Sequence, residues 1–180
     1  MQQDIPQRPT AEEEYERGRE ICLRQLSYSA RTRAQLATAM RRRGIEDGIA
    51  ADILGRFETV GLVDDKAFAA AWVDSRHRGR GVGPRKLAYE LRRRGVDQKL
   101  TNESLSTITL EEERATARAL VEVRLAGTQG QPAQRRARRL TGILARKGYS
   151  PQVAYDVVRE ALAREGEELP EVVESLPDGD

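Results

Sequence analysis

The sequence predicts an all-α protein made of three tandem three-helix units, which resemble helix-turn-helix modules and stack on one another. Three observations support this prediction. The chain contains an internal repeat about fifty residues long, helix-start signals recur in it, and no stretch shows the alternation of a half-buried strand. A repeat of this length is typically one supersecondary unit that is stabilised by packing against its neighbours.

The repeat is centred on Gly44, Gly95 and Gly148, which lie 51 and 53 residues apart. Each glycine has apolar residues eight and four places before it and one place after it. These residues are Leu36, Met40 and Ile45, then Leu87, Leu91 and Val96, then Leu140, Leu144 and Tyr149. Apolar residues four apart form a helical stripe, and basic residues precede each glycine, where cations favour a helix C-terminus. We therefore expect each glycine to end a helix in the left-handed conformation, with the next residue folded back onto the stripe.

Each of these helices is predicted to lie between two others. The preceding helices are expected at 11–26, 65–78 and 110–125. The following helices are indicated by three apolar stripes: Ile49, Ile53, Leu54 and Phe57; Leu100, Leu105 and Ile108; and Val153, Val157, Val158 and Leu162. Capping boxes begin at Thr10, Thr32 and Thr109, and Pro84 and Pro151 suit a first helical position. The sum is nine helices in three sets of three.

These signals divide the chain into five segments. We expect residues 1–10 to be a flexible N-terminus, the three units to cover 11–63, 64–109 and 110–164, and 165–180 to be an acidic, disordered tail. With 38% hydrophobic and 4% aromatic residues, the chain is expected to bury small or elongated cores rather than to enclose one deep pocket. Its longest apolar run, 67–73, is too short for a membrane span. Cys22 lies on the apolar side of the first predicted helix, which predicts a buried thiol. It is the only cysteine, which predicts a reducing, cytoplasmic location.

The net charge of +2 conceals a strongly basic central region. Residues 21–164 carry 28 basic and 16 acidic residues, whereas 165–180 carry seven acids and no base. This balance favours a polyanion or an acidic protein groove as the partner. We expect the binding residues to be twelve bases: Arg76, Arg78, Arg80, Arg85, Lys86, Arg92, Arg93, Arg94, Arg135, Arg136, Arg138 and Arg139. The alternative is a solvated face whose bases merely suit helix ends, and for any single arginine it carries equal weight.

The residues offer little support for catalysis. His77 is the only histidine and is expected on the basic surface, so a triad or a histidine metal site lacks partners. Asp64 and Asp65 are interpreted as helix caps, and 79–83 as a flexible basic loop rather than a phosphate cradle. Phe68 and Trp72 have core spacing, although Trp72 could also anchor a partner. We expect no enzymatic activity, no metal and no cofactor.

The run Gly61-Leu62-Val63-Asp64-Asp65-Lys66-Ala67-Phe68-Ala69 resembles the central signature of the bacterial RecX family. The resemblance continues through Arg76, Gly83, Leu87, Leu91 and Gly95-Val96, and it includes Arg31-Thr32-Arg33-Ala34-Gln35-Leu36 upstream. It extends from about residue 14 to 163 and is weakest in the third unit. The signature residues expected to maintain the fold are Gly61, Leu62, Asp64, Asp65, Phe68, Ala69 and Gly95.

The resemblance implies a curved, elongated protein that binds the RecA recombinase, chiefly its filament on single-stranded DNA. It also implies inhibition of RecA's ATPase and strand exchange, which limits homologous recombination, DNA repair and the SOS response. Only weak, non-specific DNA binding is then expected, with no small-molecule substrate and a monomeric state. One alternative is a regulator that binds duplex DNA in a sequence-dependent way through helix-turn-helix-like units. A metal-dependent nuclease is a remote alternative, because the acids fall at helix starts and in tails.

Overall fold

The computed structural model describes residues 9–167, and over this range the protein is all-helical. Nine α-helices follow in chain order: α1 Ala11–Tyr28, α2 Arg33–Arg41, α3 Asp47–Thr59, α4 Asp65–Arg80, α5 Pro84–Arg93, α6 Gln98–Leu105, α7 Leu110–Leu125, α8 Ala133–Lys147 and α9 Pro151–Arg164. A short 3₁₀ helix, Ala126–Thr128, follows α7. The predicted all-α class and the three successive sets of three helices are confirmed for the described residues.

The three repeat glycines end α2, α5 and α8, which we call the basic helices. Gly44, Gly95 and Gly148 all have the positive φ that glycine adopts without strain, at 76°, 77° and 93°. The amide of the residue after each glycine donates to a carbonyl five residues earlier, at Met40, Leu91 and Leu144. This is the predicted capping geometry, and Ile45, Val96 and Tyr149 are buried by it.

Helix starts also follow the sequence signals. Thr10, Thr32 and Thr109 each form a complete capping box, and Ser150 caps α9 by accepting from the amide of Val153. The basic helices differ in one respect. Helices α2 and α5 begin eleven residues before their glycines, whereas α8 begins fifteen residues before Gly148. The third basic helix therefore has about one extra turn at its start.

The contacts divide the chain into two compact units. The first contains residues up to Asp74 together with Ala88–Thr107. Its core packs α1, α2 and α3 around buried residues that include Cys22, Leu36, Met40, Ile53 and Phe57. Helix α6 differs from prediction, because Leu100 and Leu105 are only half-buried while Thr101 and Ser104 are buried. Ile108, the third residue of the predicted stripe, lies beyond the end of the helix and is half-buried.

The second compact unit contains Ser75–Leu87 together with the residues from Ile108 onward. Its core packs α7, α8 and α9, and the predicted stripe of Val153, Val157, Val158 and Leu162 is buried there with Leu140. The predicted flexible N-terminus and acidic tail lie mostly outside the described residues. Residues 165–167 are described, however, and they pack against α8. Among the helices of residues 9–167, none has the length and apolar character needed to cross a bilayer.

Candidate functional site

In the first compact unit, the start of α2 holds the end of α5. The hydroxyl of Thr32 donates a 2.6 Å hydrogen bond to the carbonyl oxygen of Arg94. Beside it the backbone approach is so close that a Cβ added at Gly95 would lie 2.2 Å from the Cβ of Ala34. The first amide of α2, that of Arg33, is bound by the Asp65 carboxylate at 2.8 Å. We call this contact between a basic-helix start and a basic-helix end a joint.

The second compact unit contains a joint of the same design. The amide of Gly83 donates to the carbonyl oxygen of Lys147 at 2.8 Å, and the amide of Arg85 donates to that of Gly148 at 3.1 Å. A Cβ added at Gly148 would lie 2.4 Å from the Cβ of Lys86. Thr32 and Gly83 each lie twelve residues before the glycine that ends their own helix. The joint is therefore a repeated feature of the fold.

The second joint corrects the interpretation of residues 79–83 as a flexible loop. Helix α4 continues to Arg80, and Gly81, Val82 and Gly83 are all buried. The carbonyl oxygen of Gly81 accepts from the Tyr149 hydroxyl at 3.2 Å. A Cβ added at Gly83 would meet the carbonyl carbon of Gly148 at 2.5 Å. Gly81 and Gly83 thus permit close packing.

The first joint creates a groove that we call the arginine groove. Its volume is about 510 Å³. The bases that line it are Arg31 and Arg42 from the segment around α2 and Arg92, Arg93 and Arg94 from the end of α5, and no acidic side chain lies among its described lining residues. The Nε atom of Arg31 is buried and has no hydrogen-bond partner among residues 9–167. With five arginines and no acid in its described lining, the groove suits phosphate or carboxylate groups.

Arg94 is the most constrained arginine of the groove. Its guanidinium lies 3.6 Å from the centroid of the Trp72 ring, and one of its nitrogens donates to the carbonyl oxygen of Glu90. The Trp72 indole donates to the Glu90 carboxylate at 2.9 Å and stacks on Phe68. These contacts hold Arg94 at the groove by packing and cation–π attraction. Trp72 is half-buried, which agrees with its core spacing.

Comparison with known proteins decides the family. A model of the first three-helix domain of RecX matches residues 19–57, and a model of the second matches residues 64–105. Curated relatives are similar over most of the chain. The regulatory protein RecX of Thermobifida fusca is 53% identical over 88% of this chain and 85% of its own length. That of Streptomyces coelicolor is 52% identical over 85% and 81%.

The chain belongs to the RecX family. Two solved structures share its fold. The crystal structure of RecX from Lactobacillus salivarius has a TM-score of 0.78 at 20% identity, covering 83% of this chain and 97% of that one. A second crystal structure of a regulatory protein RecX has a TM-score of 0.73 at 23% identity, covering 83% and 73%.

The RecX signature residues serve the fold in different ways. Ala69 is fully buried, and Gly61 has a φ of 72° in the turn before α4. Asp64 caps α4 by accepting from the amide of Ala67 at 2.9 Å. Asp65 was also expected to cap α4, but it caps α2 instead, and burial raises the pKa of its carboxyl. Leu62 is 49% exposed, so its side chain contributes little to the core.

Arg136 corrects the predicted set of binding residues. It is 2% exposed, and its guanidinium is ion-paired with Glu165 and Glu167 and donates to the Thr128 hydroxyl. It lies twelve residues before Gly148, at the position held by Thr32 and Gly83 in the two joints. In α8 this position contacts Thr128, Glu165 and Glu167, whereas in α2 and α5 it contacts the end of another basic helix. Arg136 is therefore structural, and we remove it from the binding set.

The other predicted bases of the second compact unit lie mostly on its surface. Seven of them are exposed: Arg78, Arg80, Arg85, Lys86, Arg135, Arg138 and Arg139. Arg76 is half-buried, and Arg78 also pairs with Glu112 at 3.3 Å. His77 was expected on this surface, but it is 3% exposed. Its ring Nδ1–H donates to the carbonyl oxygen of Val82 at 2.9 Å, so the imidazole helps to end α4.

Sequence reasoning missed the tertiary side of the joints. The threonine signal at Thr32 predicts a capping box but does not reveal the hydrogen bond to Arg94. Arg136 did carry a readable signal, because it lies four and eight residues before Leu140 and Leu144 on the same buried stripe. A charged residue on an apolar stripe indicates a buried ion pair more often than a binding site.

Proposed function

We propose that this RecX-family protein binds the RecA recombinase, chiefly as its filament on single-stranded DNA, and inhibits RecA's ATPase and strand exchange. The family membership and the regulatory names of the relatives support the proposal. The arginine groove is the observation that carries it, because two basic helices converge there on a cavity suited to anions. The protein acts in the cytoplasm as a monomer, without enzymatic activity of its own, and so limits recombination and the SOS response.

The groove's arginines suit a filament because both of its components offer anions. Guanidinium groups bind phosphate and carboxylate oxygens through paired hydrogen bonds. Contacts to phosphate release counterions, which favours binding at low salt. A tenfold rise in salt therefore weakens binding by about 0.7 log unit per phosphate contacted. Such contacts do not read bases. DNA alone is therefore bound weakly and without sequence preference, and specificity comes from the recombinase.

A sequence-dependent DNA regulator is the second candidate, since the chain consists of three-helix modules with basic second helices. That function requires a helix whose first residues reach base edges in the major groove. In the joints, however, the starts of α2 and α5 are packed against the ends of other helices. Tight binding of the purified protein to one duplex sequence over others would favour this candidate.

The proposal is tested by titrating the protein into RecA with single-stranded DNA and following ATP hydrolysis. We expect hydrolysis to fall at substoichiometric to equal amounts of protein. Circular dichroism before the titration establishes that the protein is helical. If hydrolysis by RecA is unchanged over that range with folded protein, the proposed function is wrong.

A further inference from the structure

The end of α2 presents a third joint surface that no described residue fills. A Cβ added at Gly95 or Gly148 would collide with the preceding basic helix, at 2.2 Å and 2.4 Å. A Cβ added at Gly44 would meet none of the described atoms within 4 Å. Among residues 9–167 no basic helix precedes α2, so this copy of the joint has no partner within the described part of the chain. What we call the Gly44 surface consists of Gly44 and a second groove next to it, lined by Arg17, Glu20, Ile21, Arg24 and Arg43.

The carbonyl oxygen that a partner would use is accessible on this surface. Arg43 precedes Gly44 as Arg94 precedes Gly95 and Lys147 precedes Gly148. The carbonyl oxygens of Arg94 and Lys147 accept from a basic-helix start. That of Arg43 instead accepts from the Arg17 side chain at 3.0 Å, an exposed hydrogen bond. An incoming donor can replace the Arg17 side chain, because its guanidinium and the Arg43 carbonyl oxygen are both hydrated once they separate.

A groove beside Gly44 gives the surface its charge and shape. It has a volume of about 690 Å³ and is lined by Arg17, Glu20, Ile21, Arg24 and Arg43. Three arginines against one glutamate favour an acidic occupant. Glu20 repels the continuous negative charge of a phosphate backbone, whereas a protein can place its carboxylates beside the arginines alone.

We infer that the Gly44 surface docks the first turn of a helix on the partner protein, one that carries carboxylates in that turn. The two internal joints show which structure fits a basic-helix end, namely a helix start with a hydroxyl or amide donor at its cap. Carboxylates are common in the first turn of helices, where the macrodipole stabilises them, and here they would meet Arg17, Arg24 and Arg43. The inference rests on the proposed function, so the partner is the recombinase.

The test compares Gly44→Asn with the control Gly130→Asn in inhibition of RecA's ATPase. Both glycines have a φ of 76° and open space at the Cβ position, so both substitutions impose the same backbone strain. A side chain at residue 44 would block docking of the kind seen at the joints. We expect Gly44→Asn to raise the half-inhibitory concentration at least tenfold, and Gly130→Asn to change it less than twofold. Affinity for single-stranded DNA alone should be unchanged in both.

A second pair of variants keeps the test independent of glycine strain. Arg24→Glu reverses a charge in the groove, whereas Arg19→Glu reverses one on the same helix that pairs with Glu16 instead. We expect only Arg24→Glu to weaken inhibition several-fold. Wild-type inhibition by both Gly44→Asn and Arg24→Glu would overturn the inference and leave the proposed function intact. Parallel losses of inhibition and DNA affinity would overturn it as well. If the wild-type protein fails to inhibit RecA's ATPase, both the inference and the proposed function are wrong.

Discussion

The hydroxyl of Thr32 donates to the carbonyl oxygen of Arg94, 62 residues later in the chain, at 2.6 Å. The same hydroxyl oxygen accepts from the amide of Gln35 as part of the capping box of α2. One buried side chain thus forms hydrogen bonds with an amide at a helix start and a carbonyl at a helix end. It thereby places the arginines of α5 beside those of α2. The arginine groove exists because of this joint.

Thr32→Val should therefore cost more than the loss of an ordinary cap. It removes the cap, worth about 1 kcal/mol, and leaves the Arg94 carbonyl without its donor, for a total of about 2–3 kcal/mol. Thr109→Val is the matched control, because Thr109 forms a capping box on an exposed helix start. It should cost about 1 kcal/mol. Urea unfolding measures both, and equal losses would show that the tertiary hydrogen bond contributes nothing.

Gly148→Ala should disrupt the joint of the second compact unit. The substitution adds left-handed strain of about 1–2 kcal/mol and a further 1–3 kcal/mol of collision with Lys86. Gly130→Ala carries the strain alone, since its Cβ position is open. Thermal unfolding should therefore separate the two variants by several degrees. Similar midpoints would mean that the backbone at Lys86 relaxes freely.

Cys22 should make stability fall at alkaline pH. The thiol is fully buried, and burial raises its pKa from 9.0 to about 11. Between these values the unfolded thiol loses its proton while the folded thiol keeps it, so the free energy of unfolding falls as pH rises. The loss is about 1.4 kcal/mol per pH unit within this window and is absent below pH 9.

The measurement compares urea unfolding of the wild type and Cys22→Ala at pH 8 and pH 10. The substitution lowers stability at both pH values by creating a cavity, but it removes the pH-dependent part that the thiol contributes. Other alkaline groups, including Tyr149, whose pKa is also raised by burial, affect both proteins equally. Parallel pH profiles for the two proteins would contradict a buried thiol.

Arg136→Met should destabilise the protein without weakening its inhibition of RecA, because Arg136 does not line the arginine groove. It removes a buried guanidinium that joins α8 to Glu165 and Glu167, at a cost of about 1–3 kcal/mol. The neighbouring Arg135 is exposed, so Arg135→Met should change stability by about 0.5 kcal/mol or less. Thermal melts give the first comparison and inhibition of RecA by folded protein gives the second. Unaltered stability of Arg136→Met would show that the ion pairs are not structural.

Local patterns predicted much of the fold because their causes lie within a few residues. The glycine ends of the basic helices, the three capping boxes and the buried stripe of α9 depend on contacts between neighbours in sequence. The arginine groove was only partly predictable. Arg92, Arg93 and Arg94 were identified by charge, but charge does not indicate that Arg31 and Arg42 would lie beside them.

Long-range partners explain the errors. His77, Arg136 and the glycines of residues 79–83 look like surface features because their neighbours in sequence are basic. His77 contacts Thr116, 39 residues away, and Arg136 pairs with Glu167, 31 residues away. Gly81 and Gly83 pack against residues 147–149, more than 60 positions away. Apart from the apolar stripe that contains Arg136, no local pattern reveals these contacts. The repeat does identify one structural position, twelve residues before each repeat glycine. This position is held by Thr32, Gly83 and Arg136.

The central claim is that the arginine groove engages the recombinase filament. Its most direct test is RecA's single-strand-dependent ATPase titrated with the double variant Arg92→Glu/Arg93→Glu. Arg94 is left unchanged because it packs on Trp72, so the variant alters charge on two exposed residues and should keep its helical content. We predict that half-inhibition requires at least tenfold more of this variant than of wild-type protein, and inhibition at wild-type strength would contradict the account.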